Sequence, residues 1–174
     1  MLVNMQRNNE RSEEVYHSYK FAADNGHVDA TYNCGLYLYK GYGVEKNLNE
    51  ACRYFKTAAD KDHVEAMFYY GNIIYNGEVD PSNKEEAFQY YKKASERGHL
   101  KAIFKCGHML FKGDGVTMNK REAYQYFQMA ADKGHTKAIF EYASVLRKGD
   151  EIDIDRVKAL SYYKIAADKG VPRG

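Results

Sequence analysis

The sequence is short of cysteine, of long apolar runs and of charge imbalance, and each shortage removes a class of protein. Its three cysteines, Cys34, Cys52 and Cys106, form an odd set without C-x-x-C spacing. That argues against a disulfide framework and against a structural zinc site, and it favours a reducing compartment. No stretch approaches the roughly 20 consecutive apolar residues that a membrane-spanning helix needs. The opening residues, MLVNMQRNNERSEE, lack the apolar centre of a secretory signal. The expectation is a soluble, cytoplasmic chain without a membrane partner. A net charge of +2 over 174 residues gives no global pull toward nucleic acid or anionic lipid, so any charge argument has to be local.

Insertions are also missing, and that absence exposes what is there. AADNGH at Ala22 to His27 returns as AADKDH from Ala58, ASERGH from Ala94, AADKGH from Ala130 and AADKGV from Ala166, always 36 residues on. Other columns keep the same step: Ala30, Ala66, Ala102 and Ala138; Gly35, Gly71 and Gly107, with Ala143 last; and Gly41, Gly77, Gly113 and Gly149. A fixed period of this length is the mark of a repeat array in which each unit buries its apolar face against its neighbours.

Within one repeat, Ala51, Tyr54, Phe55, Ala58 and Ala59 recur at i, i+3, i+4, i+7 and i+8, one face of an amphipathic helix. Asn47, Asn83, Asn119 and Asp155 precede such helices, and Glu50, Glu86 and Glu122 follow the first three at the spacing of a capping box. The stretch Val28 to Lys40 forms the first helix, ended by Gly41. Each repeat is therefore a helix hairpin. Glycine inside a helix costs about 1 kcal/mol relative to alanine, so the Gly35, Gly71, Gly107 column is expected to serve close packing against Ala51, Ala87, Ala123 and Ala159. Burying each Tyr or Phe of the 54/55 columns should contribute roughly 1.5 to 3 kcal/mol. Cys34 and Cys106, two repeats apart, are too far from each other to bridge. Cys34 and Cys52 could lie level on antiparallel helices, although small buried thiols are the preferred reading.

The pattern A-x-Y-x-x-G-x-x-Y-x-x-G-x-G-V followed by N-x-x-E-A-x-x-Y-F-x-x-A-A-D-x-G-H resembles the Sel1-like repeat (SLR), a relative of the tetratricopeptide repeat. The resemblance covers about Glu14 to Gly170. It implies an all-α, right-handed α-solenoid of helix-turn-helix repeats whose first helices line the concave side. It also implies a non-enzymatic adaptor or scaffold that holds protein complexes together, with no catalytic residue, metal or cofactor. The departures are Val79 and Glu151 in place of the loop glycine Gly43, Asp62 in place of Gly26, and Arg147 in place of the aromatics Tyr39, Tyr75 and Phe111.

The expected organisation is a flexible lead (1–11) followed by a single array (12–170). The array comprises a partial repeat (12–25), opening on a lone second helix from Glu13 to Asp24, and repeats at about 28–61, 64–97, 100–133 and 136–169. The final V-P-R-G (171–174) resembles the remnant of an engineered protease site. The array reads as a piece of a longer protein, and its ends as faces on which self-association is possible.

Subtracting the scaffold columns leaves four positions per repeat, spaced i, i+4, i+7 and i+11 along the first helix, free to vary and to meet a partner. The stripes are Asp29, Asn33, Leu36 and Lys40; Glu65, Tyr69, Asn72 and Asn76; Lys101, Lys105, His108 and Lys112; and Lys137, Glu141, Ser144 and Lys148. They turn basic from the third repeat. The functional reading is a groove for a protein or peptide segment with its acidic part near Lys101, Lys105 and Lys112. Tyr69 and Leu36 are the candidate anchors, since large apolar and aromatic groups dominate binding energy. The plainer readings are a solvated helix face on a purely architectural array, or weak nucleic-acid binding through the local lysines. Near-neutral overall charge and the interrupting Glu141 weigh against nucleic acid.

Three enzyme-like or metal-like patterns dissolve against the repeat. Ser161 and Lys164 match S-x-x-K, but the same slots hold Arg53 and Lys56, Gln89 and Lys92, and Gln125 and Gln128. His27, His63, His99 and His135 stand one repeat apart, too far to share a tetrahedral metal, and are expected to be structural at the start of first helices. Asp150, Glu151, Asp153 and Asp155 lack the central glycine and terminal glutamate of a calcium loop.

Overall fold

The structure is a computed structural model that describes residues 2–149 and 152–168, with side chains described from Glu10 onward. Among the described residues there are helices and no strands: α1 (Leu2–Asp24), α2 (Val28–Lys40), α3 (Leu48–Asp60), α4 (Val64–Asn76), α5 (Lys84–Glu96), α6 (Leu100–Lys112), α7 (Lys120–Asp132), α8 (Thr136–Lys148) and α9 (Arg156–Asp168). The expected all-α repeat of helix hairpins is present. The chain's first helix is longer than its expected bounds of Glu13 to Asp24. It begins at Leu2, well ahead of Glu13. Residues 2–12 contain neither glycine nor proline, so nothing in the chain stops the helix from extending. The V-P-R-G tail lies outside the described residues.

Each first helix ends where its column of glycines permits a left-handed residue. Gly41 (φ 73°) and Gly113 (φ 66°) donate their N–H groups to Tyr37 and Met109, satisfying a carbonyl the helix leaves open. Each second helix starts at an Asx cap. Asn47, Asn83 and Asn119 accept from the N–H of Glu50, Glu86 and Glu122 at 3.0, 3.1 and 3.1 Å, and Asp155 accepts from Lys158 at 2.8 Å.

Only half of a capping box is realised. The backbone N–H of Asn47, Asn83, Asn119 and Asp155 goes to a carbonyl of the preceding helix, on Leu38, Ile74, Leu110 and Leu146 at 2.9 to 3.0 Å. With that donor already engaged, the Glu86 and Glu122 carboxylates accept instead from the Asn83 and Asn119 side-chain amides at 3.0 Å. The cap thus fixes both the start of the helix and its distance from the hairpin partner.

The chain divides into two compact units, Met1–Tyr90 and Tyr91–Gly174. In the first, α1 packs on α2, α2 on α3 and α3 on α4; in the second, α6 packs on α7, α7 on α8 and α8 on α9. At the centre of each lies a glycine-to-ring contact. A Cβ at Gly35 would come within 2.9 Å of two Phe55 ring carbons, and one at Gly107 within 2.9 Å of two Phe127 ring carbons. The glycine column therefore receives a ring edge, not the alanines of the 51/123 column, because the ring standing one turn further along fills the space that Cβ would need. Phe55 is fully buried and stacks on Tyr69 at 5.1 Å, so it has no room to move.

Two stability outcomes follow. Gly35→Ala should destabilise the fold: overpacking costs about 1 to 3 kcal/mol against a gain of about 1 kcal/mol in helix propensity. Urea unfolding of the single variant and of its combination with Phe55→Leu should show coupling, with the smaller side chain recovering part of the loss. Among the described residues Asp62 is the non-glycine residue with positive φ, 67°, where Gly26, Gly98 and Gly134 have 88°, 83° and 86°. A left-handed conformation costs an L-residue about 1 to 2 kcal/mol, less for Asp, so Asp62→Gly should raise the urea midpoint.

Candidate functional site

In the first unit, α2 and α4 bring their variable stripes side by side. Asp29, Lys40, Glu65 and Asn76 are exposed, and Asn33, Leu36, Tyr69 and Asn72 are half-buried. Asp29 Oδ1 lies 3.5 Å from His63 Nε2, joining the start of one first helix to the cap of the next. Tyr69 is held by its neighbours: besides stacking on Phe55, its ring lies 5.9 Å from Tyr32 and 5.8 Å from Tyr39. The candidate anchor is thus already a strut between two first helices. What it offers outward is a rim.

In the second unit, α6 and α8 do the same with basic residues. Lys101, Lys112, Lys137, Glu141 and Lys148 are exposed, while Lys105, His108 and Ser144 are half-buried. Burial pushes the Lys105 amine below the usual lysine range, and Lys137 on the adjacent helix adds to the effect while Asp114 opposes it. His108 is lowered by burial, then by Lys112 and Lys105, against Glu141 and Asp114. The stripes of α6 and α8 are therefore close enough to feel each other's charge.

The histidine column has a structural role with a specific geometry. His63, His99 and His135 accept from the N–H of Ala66, Ala102 and Ala138 through Nδ1 at 3.1, 3.1 and 3.2 Å, capping α4, α6 and α8. His63 stacks on Tyr32 and His135 on Phe104, each at 4.4 Å and 21°, so the ring that caps one repeat also rests on the previous one. His27 makes no side-chain cap bond. Acceptance at Nδ1 requires the neutral tautomer carrying its proton on Nε2.

The remaining candidates have structural explanations. Ser161 Oγ donates to the Lys158 carbonyl of its own helix at 2.7 Å. The cysteines are free: Cys34 and Cys106 are buried, and Cys52 is half-buried, more open than expected. Burial pushes the Cys34 thiol up to about 11 and Cys106 up to about 12, which leaves them protonated and unreactive near neutrality. Among the described residues no group of His, Cys, Asp or Glu is placed to hold a metal ion; Asp150 and Glu151 of the acidic loop lie outside them.

One set of contacts escaped the sequence reading. Tyr90 Oη donates to Asp60 Oδ1 at 3.0 Å, and Tyr162 Oη donates to Asp132, tying α5 to the end of α3 and α9 to the end of α7. Burial and this bond push the Tyr90 hydroxyl up to about 12. The signal was present in the register: a Tyr stands at 54, 90, 126 and 162, and an acid 30 residues before each.

Helix hairpins of one length, packed in chain order within each unit, define an all-α repeat protein of the solenoid class. The Sel1 repeat pattern matches residues 28–63, 64–99, 100–135 and 136–171, so the chain belongs to the Sel1 repeat family. A Sel1 repeat protein from Oxalobacter formigenes is 33% identical with a TM-score of 0.82, over 91% of this chain and 63% of that one. The protective antigen c5321 of uropathogenic Escherichia coli, which displays an SLR fold, is 29% identical with a TM-score of 0.85, over 89% of this chain and 33% of that one. Immunity protein Pa5087 of Pseudomonas aeruginosa, 24% identical with a TM-score of 0.54 over 91% of this chain and 58% of that one, shares the fold alone. The chain thus spans under two thirds of the length of these proteins. No curated protein matches it.

The caps make stability pH-dependent. Burial lowers the folded His63 and His135 below the ordinary 6.5, and for His135 the lysines Lys137 and Lys101 lower it further. The unfolded chain then binds protons first as pH falls past 6.5, so this stability is complete above that value and is lost on the way down to the folded values. Thermal melts between pH 7.5 and 5 should show a falling midpoint. The His63→Asn, His135→Asn variant, which keeps a cap without a titrating ring, should flatten that slope.

Proposed function

We propose that this chain is a non-enzymatic protein-interaction module that docks partner segments on the variable stripes of its first helices. The observation that carries the reading is the division of labour along α2, α4, α6 and α8. Columns repeated in every copy are spent on caps and on ring packing, whereas the stripe positions differ from copy to copy and all retain exposure. Sel1 repeats are typically protein-binding elements. Among the described residues no helix is long and apolar enough to cross a membrane. The free thiols support a cytoplasmic or other reducing location.

The two units offer different chemistry. In the first, Asn33, Leu36, Lys40, Glu65, Tyr69 and Asn72 make a mixed surface with aromatic rims. In the second, Lys101, Lys105, His108, Lys112, Lys137 and Lys148, interrupted by Glu141, favour an acidic segment. Exposed ion pairs contribute about 0 to 1 kcal/mol each and micromolar binding needs about 8 kcal/mol, so a partner must engage several of these residues and bury an anchor.

A pull-down comparing the chain with its Lys101→Glu, Lys105→Glu, Lys112→Glu variant should lose partners recovered by the parent. Equal recovery by both would remove the basic stripe from the binding surface. Loss of binding that tracks ionic strength alone, and extends to arbitrary duplex DNA, would favour the nucleic-acid reading.

A further inference from the structure

Two junctions between consecutive first helices share one framework and carry opposite charge. In the first unit Tyr32 of α2 stacks on His63, the cap of α4, at 4.4 Å and 21°. In the second unit Phe104 of α6 stacks on His135, the cap of α8, at the same distance and angle. In both rings Nδ1 accepts from the backbone, at Ala66 and at Ala138. The proton of each neutral ring therefore sits on Nε2, which is a donor.

What stands beside that donor differs between the units. In the first, the Asp29 carboxylate faces His63 Nε2 at 3.5 Å with its side chain 93% exposed. Asn33 and Glu65 occupy the neighbouring stripe positions. Two repeats later the three equivalent residues are Lys101, Lys105 and Lys137, so acid, amide and acid have become three amines. Lys101 and Lys137 are exposed and Lys105 is half-buried. Among the described residues no carboxylate stands within ion-pair reach of His135. The fields follow the exchange. Burial lowers both rings, but Asp29 and Glu65 oppose it at His63, whereas Lys137 and Lys101 add to it at His135.

We propose that His135 is a direct partner contact, its Nε2–H donating to an aspartate or glutamate carboxylate of a docked segment, with Lys101, Lys105 and Lys137 around that acid. This rests on the stripe reading above and narrows it, because it puts the acid at the start of α8 and gives a capping residue a second use. The chain contains its own template. Asp29 shows that a carboxylate reaches this donor while the ring keeps both its stack and its cap. A bond to an ionised acceptor is roughly twice as strong as a neutral one. An incoming acid also relieves repulsion among the amines, since Lys137 already acts on Lys105. Glu141 and Asp114 act on His108 further along α6, so the positive charge is concentrated at one place and does not form the track that a phosphate backbone would need.

The test follows the His135 ring by nuclear magnetic resonance while the full chain is titrated with a Glu-rich synthetic peptide and with its Gln counterpart. The Glu peptide should shift the ring and the amides at the start of α8, and it should raise the pH at which the ring titrates, because a carboxylate beside it favours the charged form. The Gln peptide should do neither. Lys101→Asp gives the second junction the internal acid of the first. It should raise the His135 midpoint with no peptide present and weaken the Glu peptide by about tenfold or more, while an unchanged melting temperature shows that the fold is kept. Asp29→Lys with Glu65→Lys should do the converse and create acid binding at His63.

Shifts confined to amides around His108 and Lys112, with the His135 ring unmoved, would overturn the proposal and leave the stripe reading intact. Equal binding of the Gln peptide, or undiminished binding of the Glu peptide by Lys101→Asp, would overturn it as well. So would a Glu peptide that binds nowhere, and the pull-down above then decides the stripe reading by itself.

Discussion

The contact on which the first and third hairpins depend is the ring edge of Phe55 or Phe127 lying where the Cβ of residue 35 or 107 would be. That contact sets how closely first and second helices approach, and the approach in turn dictates the rest. Helices this near leave no space for a side chain at the crossing, so glycine is kept in spite of its cost in a helix. The buried ring then presents its other face to the next first helix, where Tyr69 stacks on Phe55. One interaction thus joins the two helices of a hairpin and the hairpin to its successor.

Polar residues hold the ends of the same framework. Buried helix termini leave backbone groups that need partners, and the repeat supplies them by rule: a histidine for the first helix, an Asx residue for the second, a left-handed glycine between. This explains why the most repeated polar residues do not by themselves make a site. The three capping histidines spend Nδ1 on a backbone N–H, and those at 63 and 135 spend a ring face on the preceding repeat. What is left for binding is whatever the framework does not use.

The stripes of α2, α4, α6 and α8 were legible because subtraction of conserved columns is a one-dimensional operation, and helical spacing carries the remainder onto one face. Other features were not legible in that way. Tyr69 looks like an exposed anchor in the sequence, and only the rings of Tyr32, Tyr39 and Phe55 around it show that it is mostly engaged. Arg147 reads as a simple departure from an aromatic column. Its exposure, where Phe111 packs its ring near Tyr124 and Phe127, is a matter of side chains on more than one helix. The Tyr90 to Asp60 bond lay between these cases, since the register held it but the distance did not.

The sequence by itself determined the repeat, its length, the start and end of nearly every helix and the division between scaffold and variable positions. Those follow from local rules: helical periodicity, capping chemistry and the backbone freedom of glycine, all acting within a few residues. Tertiary structure decided which atom meets the glycine column and which donor completes the Asx cap. Each of these depends on volume and direction at the meeting of two helices, and spacing along one helix carries no information about the side chains of the other.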